Sequence, residues 1–311
     1  MMGHINVTTE RIEEVLAYCN DNGESATCEH YGLTIDTLHR YERERRFRET
    51  KNPKILLLDM ETAFMDVRVF GTYKQRIPHA NIVNDWFFLS WAAKWLFSAE
   101  VMSDVLSPKE AVHKTDKRIC ESLWELIDAA DVVIAHNGDK FDLPKIRSRL
   151  ILNDIKPPMP YLQIDTLKIA QKQFGFSSNR LDYLGKILVG DQKIKTDYEL
   201  WVKCMEGDKD ALLQMEEYNK KDVSLLEEIY VKFRPWIKSH PNLAVVMDAK
   251  EPCCPNCGSF EFEDGEGYYT TPQNRYVAVR CKSCGAVNRK KDSAIPLTAK
   301  ERKQMIVPAA R

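Results

Sequence analysis

The central part of the chain alternates between short apolar runs and longer segments in which apolar residues have helical spacing. Residues 55–58, 86–95 and 131–135 form largely apolar runs, which are typical of buried sheet strands. A helical pattern covers residues 209–233. This pattern predicts an α/β domain, a sheet flanked by helices, over residues 53–240. We interpret the aromatic residues of 86–95 as core, and not as a surface on which nucleic-acid bases stack.

The first 50 residues carry the pattern of a separate, small all-α unit. Helical spacing predicts a first helix, a second short helix covers residues 25–30, and the turn 31–33 leads to a third helix that begins at Thr34. The arrangement resembles a helix-turn-helix over residues 1–50. The apolar side chains expected to form its core are Ile12, Val15, Leu16, Ile35, Leu38 and Tyr41.

A helix-turn-helix places its third helix in the major groove of DNA. Arg40 and Arg43 would then contact bases or phosphates. The alternative is a helical bundle that packs or binds a protein partner, because the pattern is short and degenerate. Glu42 and Glu44 within the same charged run also fit a merely solvated helix.

Length and composition limit the classes of protein that this chain can represent. Its 311 residues, 44% of them hydrophobic, suffice for a core domain of roughly 180 residues with small additional units. The sequence contains no apolar run of membrane-spanning length, and Met1 is not followed by a secretory signal, so we expect a soluble, cytoplasmic protein. The net charge of −1 argues against a uniformly basic nucleic-acid binder, so such contacts would come from local patches near the two ends, including a basic tail at 293–311.

The apolar run 55–58 ends in Asp59-Met60-Glu61, which puts two carboxylates at alternate positions of a predicted strand. Side chains two residues apart in a strand point to the same side of the sheet. Acids at the end of an apolar strand lose hydration unless a cation or hydrogen-bond donors meet them. Asp59 and Glu61 are therefore candidate ligands of a divalent metal ion, although a pair of this kind is often only solvated.

Two later segments carry acids in positions that would complete such a site. The run 131–135 leads into a glycine-bearing turn and a predicted helix with Pro144 in its first turn. This places Asp142 at the carboxyl end of a strand, where open α/β sheets build their sites. In the predicted helix 209–233, Tyr218 and Asp222 are four residues apart and therefore share one helical face.

The three segments together resemble the DEDD exonucleases, a DnaQ-like family of the RNase H-like superfamily. The third motif resembles that of the tyrosine subclass, because Glu217 stands where the other subclass has histidine. The resemblance implies an RNase H-like mixed sheet flanked by helices, and 3′ to 5′ exonuclease activity on nucleic acid. In the family's order, the matching residues are Asp59-x-Glu61, Asn137-Gly138-x-x-Phe141-Asp142-x-Pro144 and Tyr218-x-x-x-Asp222.

The resemblance also implies roles for the matching residues. Asp59, Glu61 and Asp222 would hold one Mg²⁺ or Mn²⁺ ion, and Asp59 with Asp142, through water, would hold a second. Without cations, four carboxylates in one pocket would repel each other, and at least one would have a raised pKa. Tyr218 would orient the attacking water, because a phenol with its ordinary pKa of about 10 is a poor base at neutral pH.

Three polar residues near these motifs have structural as well as functional interpretations. Asp165 could be a fifth site acid, but the favoured interpretation is a cap for the helix that follows it. His136 and Asn137 are expected to serve the turn that contains them, and Asn137 is the better candidate for contact with substrate.

Two C-x-x-C-G motifs near the carboxyl end predict a zinc ribbon over residues 250–292. The segment between them reads as a β-hairpin, and thiolates at this spacing suit one structural Zn²⁺ better than disulfides or redox chemistry. The remaining cysteines are expected to be free thiols of a reducing compartment. The four predicted zinc ligands are Cys254, Cys257, Cys281 and Cys284.

Three functions remain open on sequence grounds. The favoured one is a metal-dependent 3′ to 5′ exonuclease whose terminal modules direct it to its substrate, for which DNA is favoured over RNA. A proofreading role would require a polymerase or replication partner. The second is a DNA-binding regulator in which the nuclease-like domain is an inactive scaffold. We rank it below the enzyme, because a scaffold has no need for a cluster of acids that repel one another. The third is a transposase-like or RNA-guided nuclease, in which the last catalytic acid typically follows the zinc module; here Asp222 precedes Cys254.

Overall fold

The computed structural model describes residues 9–39, 41, 52–74, 76–194, 196–271, 274–294, 298 and 300. A five-stranded mixed sheet in the order β5-β4-β1-β6-β7 forms its centre. Strand β1 pairs antiparallel with β4 and parallel with β6, while β5 and β7 form the two edges. Among the residues up to 165, the strands are β1 (Ile55–Thr62), β2 (Asp66–Val67), β3 (Ile82–Asn84), β4 (Phe88–Trp95), β5 (Met102–Val105), β6 (Val132–Ala135) and β7 (Leu162–Asp165).

Helices cover both faces of this sheet and form the amino-terminal unit. Within the described residues, none combines the length and apolarity needed to cross a membrane. The helices are α1 (Thr9–Asn22), α2 (Glu24–Tyr31), α3 (35–39 and 41), α4 (Pro108–His113), α5 (Lys117–Asp128), α6 (Asp142–Leu152), α7 (Thr166–Gln173), α8 (Leu181–Leu188), α9 (Tyr198–Met205), α10 (Lys209–Phe233) and α11 (Leu243–Val246).

Strand β1 is buried on both faces, and its alternate residues enter two different cores. Leu56, Leu58 and Met60 pack in a cluster with residues of α5 and α6. Ile55 and Leu57 pack in a second cluster with residues of α8 and the second half of α10. Because side chains alternate along a strand, the odd-numbered positions that follow in β1 also point to the side of α8 and α10. The fold thereby aims the acids of β1 at the longest described helix.

Helix α10 is held by a cap at its start and by close packing along its length. Asp208 caps it, because its side chain accepts a hydrogen bond from the backbone N–H of Ala211 at 2.8 Å. Gly185 of α8 lies so close to α10 that a Cβ atom there would be 2.7 Å from Leu225 Cδ1. The absence of a side chain at residue 185 therefore lets the two helices approach. Helix α10 also contacts β1, β4 and β5 of the central sheet.

The amino-terminal helices form a small core of their own from Ile12, Val15, Leu16, Leu38 and Tyr41. The hydroxyl of Thr34 accepts a hydrogen bond from the backbone N–H of residue 37 at 3.2 Å, so Thr34 caps α3, which begins where the sequence predicts.

One predicted member of this core is wrong. Ile35 is 42% exposed, because Leu38 and Tyr41, and not Ile35, face α1 in the described part of α3. Arg40 and Arg43, the predicted DNA contacts, lie outside the described residues.

The carboxyl-terminal unit is an antiparallel three-stranded sheet in the order β10-β9-β8. One of its turns, 254–257, docks against the segment that follows α10. The side-chain amide of Asn256 is buried and donates to the carbonyl oxygens of Arg234 and Ile237, at 2.8 and 3.2 Å. Phe260 packs against the second core cluster. The strands are β8 (Phe262–Thr270), β9 (Arg275–Cys281) and β10 (Val287–Ser293).

Candidate active site and zinc site

Asp59 and Glu61 lie on the part of β1 that extends beyond its parallel neighbour. Pairing of β1 with β6 ends at Leu57 opposite Ile134, whereas pairing with β4 continues to Thr62. The two carboxylates therefore stand where one side of the strand is free of a neighbouring strand. They lie on the same side of the sheet, as their spacing predicts.

The turn between β6 and α6 positions Asp142, which is the first residue of α6 and is buried. Asp165 holds this turn in place, since its carboxylate accepts the backbone N–H groups of Asn137 at 2.9 Å and Asp139 at 3.3 Å. The same carboxylate caps α7 by accepting the N–H groups of residues 167 and 168. The predicted capping role of Asp165 is thus confirmed. Asn137 has a φ of 71°, a left-handed conformation that asparagine tolerates well.

Helix α10 brings Tyr218 and Asp222 to the acids of β1. Ligand oxygens of Asp59, Glu61 and Asp222 all lie within 4.8 Å of one another. Tyr218 lies one turn before Asp222 on the same helical face, and the ring of Trp201 packs edge-on against it at a centroid distance of 6.1 Å.

Asn219 is a site residue that the motif comparison did not single out. It is fully buried, and its side-chain N–H donates to Asp59 Oδ2 at 2.6 Å. Its own Oδ1 accepts from the Ser90 hydroxyl at 3.1 Å. Because residues 219 and 222 are three apart on a helix, helical-face reasoning contained the signal for this contact. Asn219 fixes one carboxylate oxygen of Asp59 and thereby orients the other.

Lys193 is the second residue missed, and it carries the positive charge that meets the acids. Its ammonium group pairs with the Asp222 carboxylate and donates to the Tyr218 hydroxyl at 3.2 Å. Burial alone would lower the pKa of Lys193, but the charges of Asp59 and Asp222 outweigh burial and raise it. Lys193 lies in the polar segment between α8 and α9, where no periodicity or motif distinguishes it from a solvated lysine.

Burial dominates the electrostatics of the acids. Burial, and after it the charge of Asp222, raises the pKa of Asp59 well above its ordinary value. Burial also raises the pKa of Glu61 to about 8 and that of Asp142 to about 7. The pKa of Tyr218 is raised by burial and by the charge of Asp222, so its phenol is protonated at neutral pH. The acids are therefore stabilised by binding protons or cations.

The donor set fits a hard divalent cation. Asp222 Oδ1 is buried and has no hydrogen-bond partner within the described residues, so it is available as a ligand. Carboxylate oxygens are the ligands that Mg²⁺ and Mn²⁺ prefer. Asp142 is outside the group of three whose oxygens lie within 4.8 Å. A hydrogen bond from the Met60 backbone, which lowers the pKa of Asp142, joins the Asp142 carboxylate to the strand residue between Asp59 and Glu61.

A cleft lies next to the acids, lined by His136, Asn137, Asn179, Arg180 and Lys193. His136 has the structural role that was expected, because its two ring nitrogens contact the Thr166 hydroxyl and the Asn179 carbonyl oxygen, each at 2.9 Å. A carbonyl oxygen only accepts, so Nε2 carries the proton. Burial lowers the pKa of His136 to about 4, and the ring is neutral. The Asn137 side chain borders the cleft.

The four predicted zinc ligands converge in the carboxyl-terminal unit. The sulfur atoms of Cys254, Cys257, Cys281 and Cys284 lie within 4.8 Å of one another. The Sγ–Sγ distance is 3.7 Å between Cys254 and Cys284, and 3.5 Å between Cys257 and Cys281. Tetrahedral zinc with Zn–S bonds of about 2.3 Å requires sulfurs roughly 3.8 Å apart. The cluster therefore fits zinc, and all nine cysteines are free of disulfides.

We predict that neutralising Glu61 changes how stability depends on pH. The pKa of Glu61 rises from 4.5 to about 8 in the folded protein, so its stabilising contribution is complete below 4.5 and is lost as the pH rises towards 8. In buffer without added divalent cations, thermal unfolding of Glu61→Gln should therefore lose less stability over this range than the wild type does. Glu217→Gln, which changes an exposed glutamate of α10, is the matched control. Identical pH profiles for Glu61→Gln and wild type would contradict the prediction.

We predict one zinc ion per chain, held by the four-cysteine cluster. Cys257→Ser should lower the zinc content measured by elemental analysis, because a hydroxyl is a poor ligand for this metal. Cys253→Ser is the matched control, since Cys253 is a neighbouring buried cysteine outside the cluster. Equal zinc contents in the two variants would rule out the site.

Comparison with known proteins agrees with the fold. No curated protein matches the chain significantly. Residues 100–234 match the family model of the RNase_H superfamily, a range that contains Asp142, Tyr218 and Asp222 but begins after Asp59 and Glu61. Together with the five-stranded mixed sheet and the four-cysteine cluster, this match confirms the predicted fold class. That class is an RNase H-like α/β domain between amino-terminal helices and a small carboxyl-terminal sheet. The match also indicates activity of the nuclease type on nucleic acid.

Proposed function

We propose that this protein is a two-metal-dependent 3′ to 5′ exonuclease of the DEDD type, in the tyrosine subclass, that acts on nucleic acid, with DNA favoured over RNA. The observation that carries the proposal is the convergence of three carboxylates from β1 and α10 with a tyrosine one helical turn from Asp222. Asp142 beside this cluster supplies the fourth acid of the type. The order of these residues along the chain is that of the family.

The proposed chemistry divides the tasks between bound cations and the chain's own groups. Divalent cations at the acids would activate water and stabilise the charge that develops on the phosphodiester. The protonated Tyr218 hydroxyl donates a hydrogen bond that orients the attacking water or the phosphate. Lys193 holds the Tyr218 oxygen in place, and Asn219 holds Asp59. Asn137, at the edge of the cleft, contacts the substrate.

Two alternatives make different predictions for the same assay. A DNA-binding regulator with an inactive scaffold would bind nucleic acid without hydrolysis. A transposase-like nuclease would cut internally, and would therefore open a covalently closed circular DNA that has no end.

The deciding experiment is digestion of single-stranded DNA, duplex DNA and RNA with Mg²⁺ or Mn²⁺. Substrates labelled at the 5′ end should give a ladder of progressively shorter labelled products, while substrates labelled at the 3′ end should release labelled mononucleotide first. Cleavage of closed circular DNA, or loss of nucleotides from the 5′ end, would overturn the proposal.

We predict that Asp59→Asn and Asp222→Asn each reduce hydrolysis by roughly a thousandfold or more, because each removes a metal ligand. The measurement is the initial rate of nucleotide release at saturating Mg²⁺. Asp210→Asn, which changes an exposed acid in the first turn of the same helix, should leave the rate unchanged. Digestion by purified Asp59→Asn at the wild-type rate would end the two-metal hypothesis.

We predict that Tyr218→Phe and Lys193→Met each lower kcat by roughly 10- to 1000-fold, because the Tyr218 hydroxyl orients the attacking water and Lys193 holds that hydroxyl in place. The double variant should be little worse than the poorer single variant, since the two side chains are hydrogen-bonded to each other. Lys220→Met, which changes a lysine of α10 paired with Glu216 and Glu217, is the control. Additive losses in the double variant would separate the two roles.

We also propose that the amino-terminal unit binds duplex DNA through Arg40, Arg43 and their neighbours. Removal of residues 1–50 should weaken duplex binding and flatten its salt dependence, because fewer phosphate counterions would be released. Hydrolysis of a short single strand should persist, since all proposed metal ligands of the nuclease site follow Ile55. Equal duplex affinity of the intact and truncated proteins across a salt series would assign the helices to packing or a protein partner.

A further inference from the structure

One face of the carboxyl-terminal sheet presents aromatic and basic side chains to solvent. Tyr269 is paired directly with Tyr276 across β8 and β9, so both point to the same face. The Arg289 guanidinium from β10 lies over both rings, with its carbon 4.0 Å from the centroid of Tyr276 and 5.7 Å from that of Tyr269. We name Tyr269, Tyr276, Arg280 and Arg289 the aromatic face.

The aromatic face spans all three strands of the sheet. Arg289 stands opposite Ala278, and Arg280 stands opposite Val287, which places these residues on the side of Tyr276. Tyr269 is 54% exposed, and Arg280 and Arg289 are exposed as well. Glu263 is the acid paired with Arg280 on this side.

The opposite face of the same sheet is closed by the four-cysteine cluster. Cys281 and Val279 are buried there, and the Asn288 amide donates to Cys254 Sγ at 3.5 Å. On the same face, the Tyr268 ring lies under the Arg275 guanidinium at 4.4 Å, and both side chains are exposed. Each face thus carries an arginine–tyrosine pair. The residues of the aromatic face lie on all three strands, whereas Tyr268 and Arg275 lie on β8 and β9.

We propose that the aromatic face binds single-stranded nucleic acid. Unpaired bases stack on exposed rings and on guanidinium planes, and arginines bind the phosphates between them. The three strands together carry five cations, at 275, 280, 289, 290 and 291, against four acids, at 263, 264, 266 and 292. At the aligned positions of the aromatic face, Arg280 and Arg289 stand against the single acid Glu263, and this small excess of positive charge suits a polyanion. Bases inside a duplex have no free faces to stack, which favours a single strand as the occupant.

The face would hold the strand that the acid site hydrolyses, and to that extent the inference rests on the proposed nuclease function. Binding itself is independent of hydrolysis. A protein that binds single strands through this face but fails to hydrolyse them would refute the proposed function and leave this inference intact.

The test measures binding of the full chain to a labelled single strand of about 20 nucleotides, oligo-dT or oligo-U, by fluorescence anisotropy without added divalent cations. Tyr269→Ala and Arg289→Gln should each raise Kd roughly tenfold. Arg289→Gln should also flatten the salt dependence, whereas Tyr269→Ala should not. Tyr269→Phe keeps the ring and should bind like the wild type.

The opposite face supplies matched controls. Tyr268→Ala and Arg275→Gln change an equally exposed pair, Tyr268 being 58% exposed, and should leave Kd within about twofold of the wild type. Zinc content shows that each variant keeps the ribbon folded. Equal losses from variants of both faces, no loss from either, or an equally large loss of duplex affinity in Tyr269→Ala and Arg289→Gln would overturn the proposal.

Discussion

The buried carboxylates of the candidate site repel one another, and this repulsion limits how β1 and α10 can be arranged. Oxygens of Asp59, Glu61 and Asp222 lie within 4.8 Å of one another in a site where burial raises each pKa. Such groups separate unless something rigid holds them or something positive joins them. The fold holds the acids rigidly, because Asp59 and Glu61 lie on a strand buried on both faces and Asp222 lies on the longest described helix. Lys193 supplies positive charge between them, and the proposed metal ions would supply more.

The parts of this arrangement that follow from local patterns could be predicted from the sequence. Alternation along β1 put Asp59 and Glu61 on one side, and helical spacing put Tyr218 and Asp222 on one face. The four candidate zinc ligands could also be predicted from the sequence, because C-x-x-C-G is a local motif with few other uses. These predictions concern residues whose relation is fixed by strand or helix geometry, and the structure places them as expected.

The parts that depend on tertiary packing could not be predicted in the same way. Lys193 reaches the acids from an irregular segment, and its position depends on how that segment crosses α10. Ile35 was expected in the amino-terminal core by helical spacing, yet the packing of α3 on α1 buries Leu38 and Tyr41 and leaves Ile35 exposed. Asn219 is an intermediate case, since its helical face was predictable but its contact with Asp59 depends on the distance between α10 and β1.

The docking of the carboxyl-terminal unit would connect the proposed zinc site to the proposed nuclease site. Asn256 stands between the predicted zinc ligands Cys254 and Cys257, and its amide donates to carbonyl oxygens of the segment that follows α10. The turn that would hold zinc thus also contacts the segment that follows α10, the helix that carries Tyr218 and Asp222. We expect the two units to unfold as one cooperative body, in which loss of zinc would also loosen the proposed nuclease site, whose carboxylates suit hard cations. Zinc status would then govern an active site that contains no zinc.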